Sequence, residues 1–275
     1  MSESTHPFLQ HSRCPITERS LPLELSGPNA IPELWKAIFS QEQLDIASKT
    51  PMNIMTLIPA RRIDLLSGPR LSIVADGNIH IRKDVPMFAL LASSTKLYNL
   101  TLIKEQVKQL RIFGNVDHGS VEKLLDIFTT KKGLEAKQIS LIGTNFTQDV
   151  LLYQACLSLG IYYVHSKPLL NTPRAEISAR LLTEEERNTV ANRVPPTDPL
   201  LKHLANDLCH RRIKKQIPDI MEFEKLLGHN RKKKLQCTMV EIDQEHKKRR
   251  EACRTRVQKS IEEFTRKVKE SEEKA

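Results

Sequence analysis

No stretch of this 275-residue chain is apolar for the ~18 residues that cross a bilayer, so no membrane-spanning helix is expected. Paired thiols in CxxC spacing are missing too. The five cysteines, Cys14, Cys156, Cys209, Cys237 and Cys253, are odd in number and far apart. That usage points to a reducing, intracellular setting, cytoplasmic or nuclear. The start Met1-Ser2-Glu3-Ser4-Thr5 has neither the basic nor the apolar part of a secretion signal. There is no GxSxG, GxxxxGK[ST], HExxH or GxGxxG, and no calcium-binding loop. Catalytic, cofactor-binding and metal-ligating residues are therefore not expected, and neither is an enzyme. Aromatic residues are scarce at 5%, and none alternates with the basic ones, which disfavours a stacking surface for single-stranded nucleic acid.

What is present fits one or two domains with extensions. Hydrophobic residues make up 39% of the chain, enough for a core but low enough that part of it must be solvated. The formal charge of +10 is concentrated at one end. Residues 202–275 carry 21 Lys and Arg against 13 Asp and Glu, or +8, leaving +2 for the rest.

Residues 1–20 have no periodicity and read as disordered. Pro32 opens a short helix over 32–39 with Leu34, Trp35 and Ile38 on one side, and Trp35 reads as its packing anchor. Residues 50–69, with Pro51, Pro59, Gly68 and Pro69, read as an extended connector with Arg61 and Arg62 exposed. Residues 71–75 and 79–82 flank Asp76-Gly77-Asn78 and predict a hairpin, with His80 facing solvent. Residues 85–91 are uncharged and predict a short buried helix with Pro86 in its first turn.

A short strand follows over 109–113, stopped by Gly114. The next helix, capped by Asn115 or Asp117, places Val121, Leu124, Leu125 and Phe128 on one stripe. Residues 138–142 form a third β-like run. The helix over 148–159, capped by Asn145 or Thr147, is apolar almost all round, hence buried; Gly160 ends it and Cys156 reads as a core thiol. Beyond Pro168 the pattern is helical. Thr183 and Glu186 form a capping box, and Asp198-Pro199 starts a helix with Leu201, Leu204, Ala205 and Leu208 inward. A short helix after Pro218 aligns Ile220, Phe223 and Leu227. His203, Cys209 and His210 are spaced two turns apart, too far for one metal ion without a bend, and read as surface residues beside the core stripe. Glu241, Asp243 and His246 read as a solvated face.

Residues 229–275 contain neither Gly nor Pro and predict one long charged helix. Its narrow seam of Ile242, His246, Cys253, Val257, Ile261, Phe264 and Val268 calls for a partner helix or the domain's own surface, as in a coiled coil. Three basic clusters stand out: Arg211-Arg212 with Lys214-Lys215, then Arg231, Lys232, Lys233 and Lys234, then Lys247, Lys248, Arg249 and Arg250. The last two are the candidate contacts for an acidic partner or for nuclear import.

The hairpin, the buried helix with Ser93-Ser94, the stripe 121–128 and the run Asp149–Gly160 together resemble a diverged BTB/POZ domain. The run Pro196–Arg212 resembles, more narrowly, a group of filamentous-fungal BTB-like proteins with a helical tail. The chain departs from the BTB pattern at Arg82-Lys83-Asp84-Val85, where a His is usual. It departs again at Thr95-Lys96-Leu97, where an aromatic usually follows the Ser pair. The resemblance implies an α+β fold, with a small sheet packed by helices. The expected organisation is an N-terminal extension over 1–66, a BTB/POZ-like domain over 67–172, a helical extension over 173–228 and the long basic helix over 229–275. It implies a non-enzymatic protein-protein interaction module, an adaptor or scaffold, with a protein partner or a second copy and no cofactor. The rival reading is a nuclear regulator associated with nucleic acid through the basic clusters.

Overall fold

The computed structural model describes residues 54, 57–103, 107–136, 139, 141–228 and 233–272. The expectations for 1–20 and for the helix at Trp35, and the positions of Arg231 and Lys232, lie outside the described residues.

The fold is α+β: a three-stranded sheet followed by a mostly helical chain. Strand β1 (Arg70–Ala75) pairs antiparallel with β2 (Ile79–Pro86) and parallel with β3 (Gln109–Arg111), giving the order β2-β1-β3. The hairpin forms where predicted because Gly77 (φ 76°) and Asn78 (φ 60°) take the left-handed conformation that its turn needs. His80 is exposed, but so is Ile79, so the alternation read from the sequence does not carry through to burial.

Strand β2 runs through Val85 and Pro86, which the sequence placed in the following helix. Helix α2 begins at Met87 (Met87–Ser93), and every one of its residues is buried. Pro86 precedes it as the cap residue, where its missing N–H costs nothing. The connector expected over 50–69 also needs correction. Pro59 at the first helical position starts α1 (Pro59–Asp64), and Arg62 is buried at 5% exposure. Its guanidinium donates to the carbonyls of Leu57 (2.8 Å), Ala136 (2.8 Å) and Leu134 (3.3 Å). This stitches α1 onto α5 (Lys131–Glu135). Arg61 is exposed as expected.

Helices α3 (Thr95–Ile103) and α5 went unassigned from the sequence. Helix α4 (His118–Thr129) is capped by the Asp117 carboxylate on the Ser120 N–H (2.8 Å), and Val121, Leu124, Leu125 and Phe128 are fully buried on it. The described residues of the β-like run, Ile139, Leu141 and Ile142, lie in no strand. That segment is held by side chains instead: Lys123 donates to the Ile142 carbonyl (3.3 Å), and the Gly143 N–H donates to Asp149 Oδ1 (2.5 Å).

Helix α6 (Phe146–Leu159), capped by Asn145, is the central rod, packed by α4, α7 (Tyr163–Ala179) and α8 (Glu184–Arg193). Burial pushes the Cys156 thiol upward, as befits a core residue. Helix α7 runs through Pro168 and Pro173, across the boundary drawn from the sequence at 172. The Thr183–Glu186 capping box forms, and Arg180 adds ion pairs to Glu186 and Glu176, holding the Glu186 carboxyl down at about 2. Asp198 caps α9 (Pro199–Ile213) and also accepts a hydrogen bond from the Tyr153 hydroxyl (2.9 Å). That bond ties α6 to α9. Short α10 (Ile220–Leu227) buries Phe223 and Leu227, while Ile220 is 38% exposed. Helix α11 (Lys233–Glu272) is 40 residues long, and its first turns pack on α9. One continuous apolar core extends from the sheet to these turns, ending at Leu235 and Met239.

Candidate interaction surface

The Ser pair sits at a clip between distant parts of the chain. Ser94 Oγ donates to the Leu159 carbonyl (2.6 Å), the Thr95 N–H donates to the Gly160 carbonyl (2.8 Å), and the Tyr162 N–H donates to the Ser93 carbonyl (2.8 Å). Gly160 is required here for two reasons. Its φ is +68°, and an added Cβ would lie 2.5 Å from Lys96 Cβ. Lys96 donates to the carbonyls of Ser158 (3.0 Å) and Arg111 (3.2 Å), with its ammonium 5.8 Å from the Phe113 ring centroid. Partial burial lowers its pKa.

This clip leaves Phe113, just past the end of β3, projecting into solvent at 68% exposure. Hollows lie on both sides of it. One, of about 420 Å³, is bounded by Phe113, Leu157, Val194, Pro195 and Pro196 on its apolar side, and by Gln154, Arg193 and Lys234 on its polar side. The other, of about 510 Å³, lies between β3 and α3 and is rimmed by Lys96, Lys108 and Arg111. In the first, Gln154 Nε2 donates to the Asn115 carbonyl (2.7 Å), while the buried Gln154 Oε1 meets no donor among the described residues. Arg193 grips Asn115 at both its carbonyl and its Oδ1. The result is a cleft with apolar lining and two basic side chains, Arg193 and Lys234, at its edge. A peptide carrying apolar and acidic side chains has the matching chemistry. Phe113 and Gln154 were read from the sequence only as a strand end and part of a buried helix. The one hint was an aromatic residue directly before the turn glycine Gly114.

The basic clusters fare differently from one another. Arg211 donates to Asp207 (2.6 Å) and to the carbonyls of Ile177 and Ser178, so it closes the end of α7. Arg212 pairs with Asp243 and pins α11 to α9. These two are structural staples, not free contacts, and Asp243, expected on a solvated face, is part-exposed there but ion-paired. Lys233 and Lys234 are exposed at the start of α11, and Lys234 reaches the cleft. Lys247, Lys248, Arg249 and Arg250 are all exposed, but successive helical residues point about 100° apart, so they ring the helix instead of forming one face. Arg249 pairs with Glu245 (3.4 Å).

His203 Nε2 lies 2.9 Å from Ser178 Oγ and 3.1 Å from the Arg174 carbonyl, and His210 is exposed. Cys209, expected at the surface, is buried on the stripe itself. Its thiol is pushed up to about 12 by burial and by the nearby Asp243 charge. Among the described residues no three His, Cys, Asp or Glu side chains converge as metal ligands would, and no helix is long and apolar enough to cross a membrane.

From residue 247 to 267 every side chain of α11 is exposed, including Cys253, Val257, Ile261 and Phe264. No protein-family model matches this chain, and no curated protein or solved structure matches it either.

Proposed function

We propose that this chain is a non-enzymatic protein-protein interaction module, a BTB/POZ-like adaptor or scaffold that holds an apolar, acidic peptide in the cleft at Phe113. The observation that carries the reading is the cleft itself. A large aromatic side chain stands exposed beside two hollows lined by Lys96, Lys108, Arg111, Arg193 and Lys234. Exposed apolar surface ringed by charge of one sign is characteristic of a docking site. The hairpin, the fully buried α2 and the Ser93-Ser94 clip also fit the resemblance drawn from the sequence.

The test is quantitative affinity capture from native cells, comparing the full chain with its Phe113→Glu variant. Chains retained by the wild type and lost with Phe113→Glu, at unchanged thermal stability, support the reading. Identical recovery with both proteins rejects it. A bound fraction of nucleic acid that declines steeply with salt would favour the nuclear-regulator reading instead.

A further inference from the structure

Helix α11 keeps one face for its whole length, and only the first part of that face is covered. Leu235 and Met239 are buried against the body, and Ile242 and His246 are half-buried. The same stripe then continues bare through Val257 (53% exposed), Ile261 (54%) and Phe264 (69%). The continuity is exact in spacing. Ile242, Cys253 and Phe264 are eleven residues apart, as are Met239, Arg250 and Ile261, and likewise His246, Val257 and Val268. An eleven-residue repeat gives ~3.67 residues per turn, so the stripe stays on one side of a nearly straight helix. A bare stripe in register with a buried one is an interface awaiting its second half.

We infer that the second half is the same stripe of a second copy of this chain, lying antiparallel. Two observations select that occupant. The bare stripe is its own complement when reversed. About a point between Ser260 and Ile261, position 257 meets 264, position 253 meets 268 and Ile261 lies within one residue's rise of its own copy, so the apolar positions from 253 to 268 oppose one another and Arg250 falls outside the paired stretch. The charge along the helix is also lopsided. Residues 247–260 carry seven basic residues and one acidic, whereas 261–272 carry three basic and four acidic. A parallel pair would set the strongly basic half against itself. The antiparallel pair sets it against the acidic half, bringing Arg256 near Glu263 of the second copy. This pairing uses none of the residues in the Phe113 cleft and stands apart from the reading above.

The experiment is analytical ultracentrifugation of the full chain over a concentration series, with disulfide mapping to fix direction. The wild type is expected to dimerise, and Ile261→Ser, at a site exposed in the monomer, to weaken self-association about tenfold or more. For direction, two variants in a Cys253→Ser background, one with Val257→Cys and one with Phe264→Cys, are mixed and oxidised. Recovery of the mixed 257–264 disulfide supports the antiparallel pair. A 257–257 or 264–264 disulfide, a chain that stays monomeric throughout, or a dimer indifferent to Ile261→Ser overturns it.

Discussion

Helix α6 and the outer part of α11 are helical for opposite reasons. Helix α6 buries nine of its 14 residues, including Phe146, Leu152 and Tyr153, and is closed by Asn145 at one end and Gly160 at the other. Its side chains would suit a buried strand almost as well; tertiary packing makes it a helix. The outer part of α11 buries nothing between residues 247 and 267, and its conformation is set locally. Lys, Arg, Glu and Gln are good helix formers. The pairs Glu245–Arg249 and Glu263–Lys267 put the acid on the N-terminal side, the favourable order along a helix. Such pairs are worth only ~0.3–0.5 kcal/mol each. One region has a core and little surface to offer, and the other has surface and no core.

Substitutions can drive that difference to its limit. Phe128→Ala in α4, beside the α6 core, removes a fully buried ring and should cost about 3–5 kcal/mol in urea denaturation. An effect below 1 kcal/mol would mean that this core is loose.

Acid should attack the core next. His165 is 7% exposed, lies edge-on to Phe128 with ring centroids 5.3 Å apart, and has no partner for its Nε2 among the described residues. Burial lowers its pKa from 6.5 to about 4. Between those pH values the unfolded ring takes up a proton that the folded ring refuses. The neutral ring's contribution is therefore intact above pH 6.5 and is lost as pH falls toward 4. The loss amounts to roughly 3 kcal/mol for a shift of this size. Asp149 and Asp198, both raised by burial, act in the opposite sense, because the folded chain takes up their protons first. Denaturation midpoints of wild type and His165→Leu across pH 4–7 isolate the His165 share; parallel curves would refute it.

Tyr153→Phe should cost ~1–3 kcal/mol, since it leaves the buried Asp198 carboxylate with only the Leu200 N–H. The smallest effect belongs to the bare helix. At concentrations where the chain is monomeric, Ile261→Ser should change the chemical stability of the body by less than ~0.5 kcal/mol, because the side chain it removes is 54% exposed. A larger change would mean that the outer helix and the core are coupled after all.

The same contrast governs what the sequence could reveal. Regular stripes and caps were legible: the α4 stripe, the Thr183 capping box, Asp198 at α9, Gly160 after α6 and the unbroken α11 all follow from local chemistry. Long-range partners were not. Arg62 gives no sign in its neighbourhood that carbonyls 72 and 74 residues away will bury it, and Arg211 and Arg212 look like a free basic cluster until Asp207 and Asp243 are placed beside them. The run at 138–142 has strand-like composition, but its described residues pair with no strand, and β3 takes the place beside β1. The Phe113 cleft was invisible for the same reason. Its walls come from the loop after β3, α6, the end of α8 with the loop that follows, and the first turn of α11, which only the folded chain brings together.

The bare length of α11 also sets a distance. A helix rises 1.5 Å per residue and resists bending over a few turns. An antiparallel pair centred between Ser260 and Ile261 would therefore separate the two places where α11 leaves its body by about 40 Å. Two Phe113 clefts would then be carried at opposite ends of a stiff rod. Whatever binds to both would be held at a spacing written in the number of residues between His246 and Ile261, and inserting or deleting a single turn there, present in both copies, would reset it by about 11 Å.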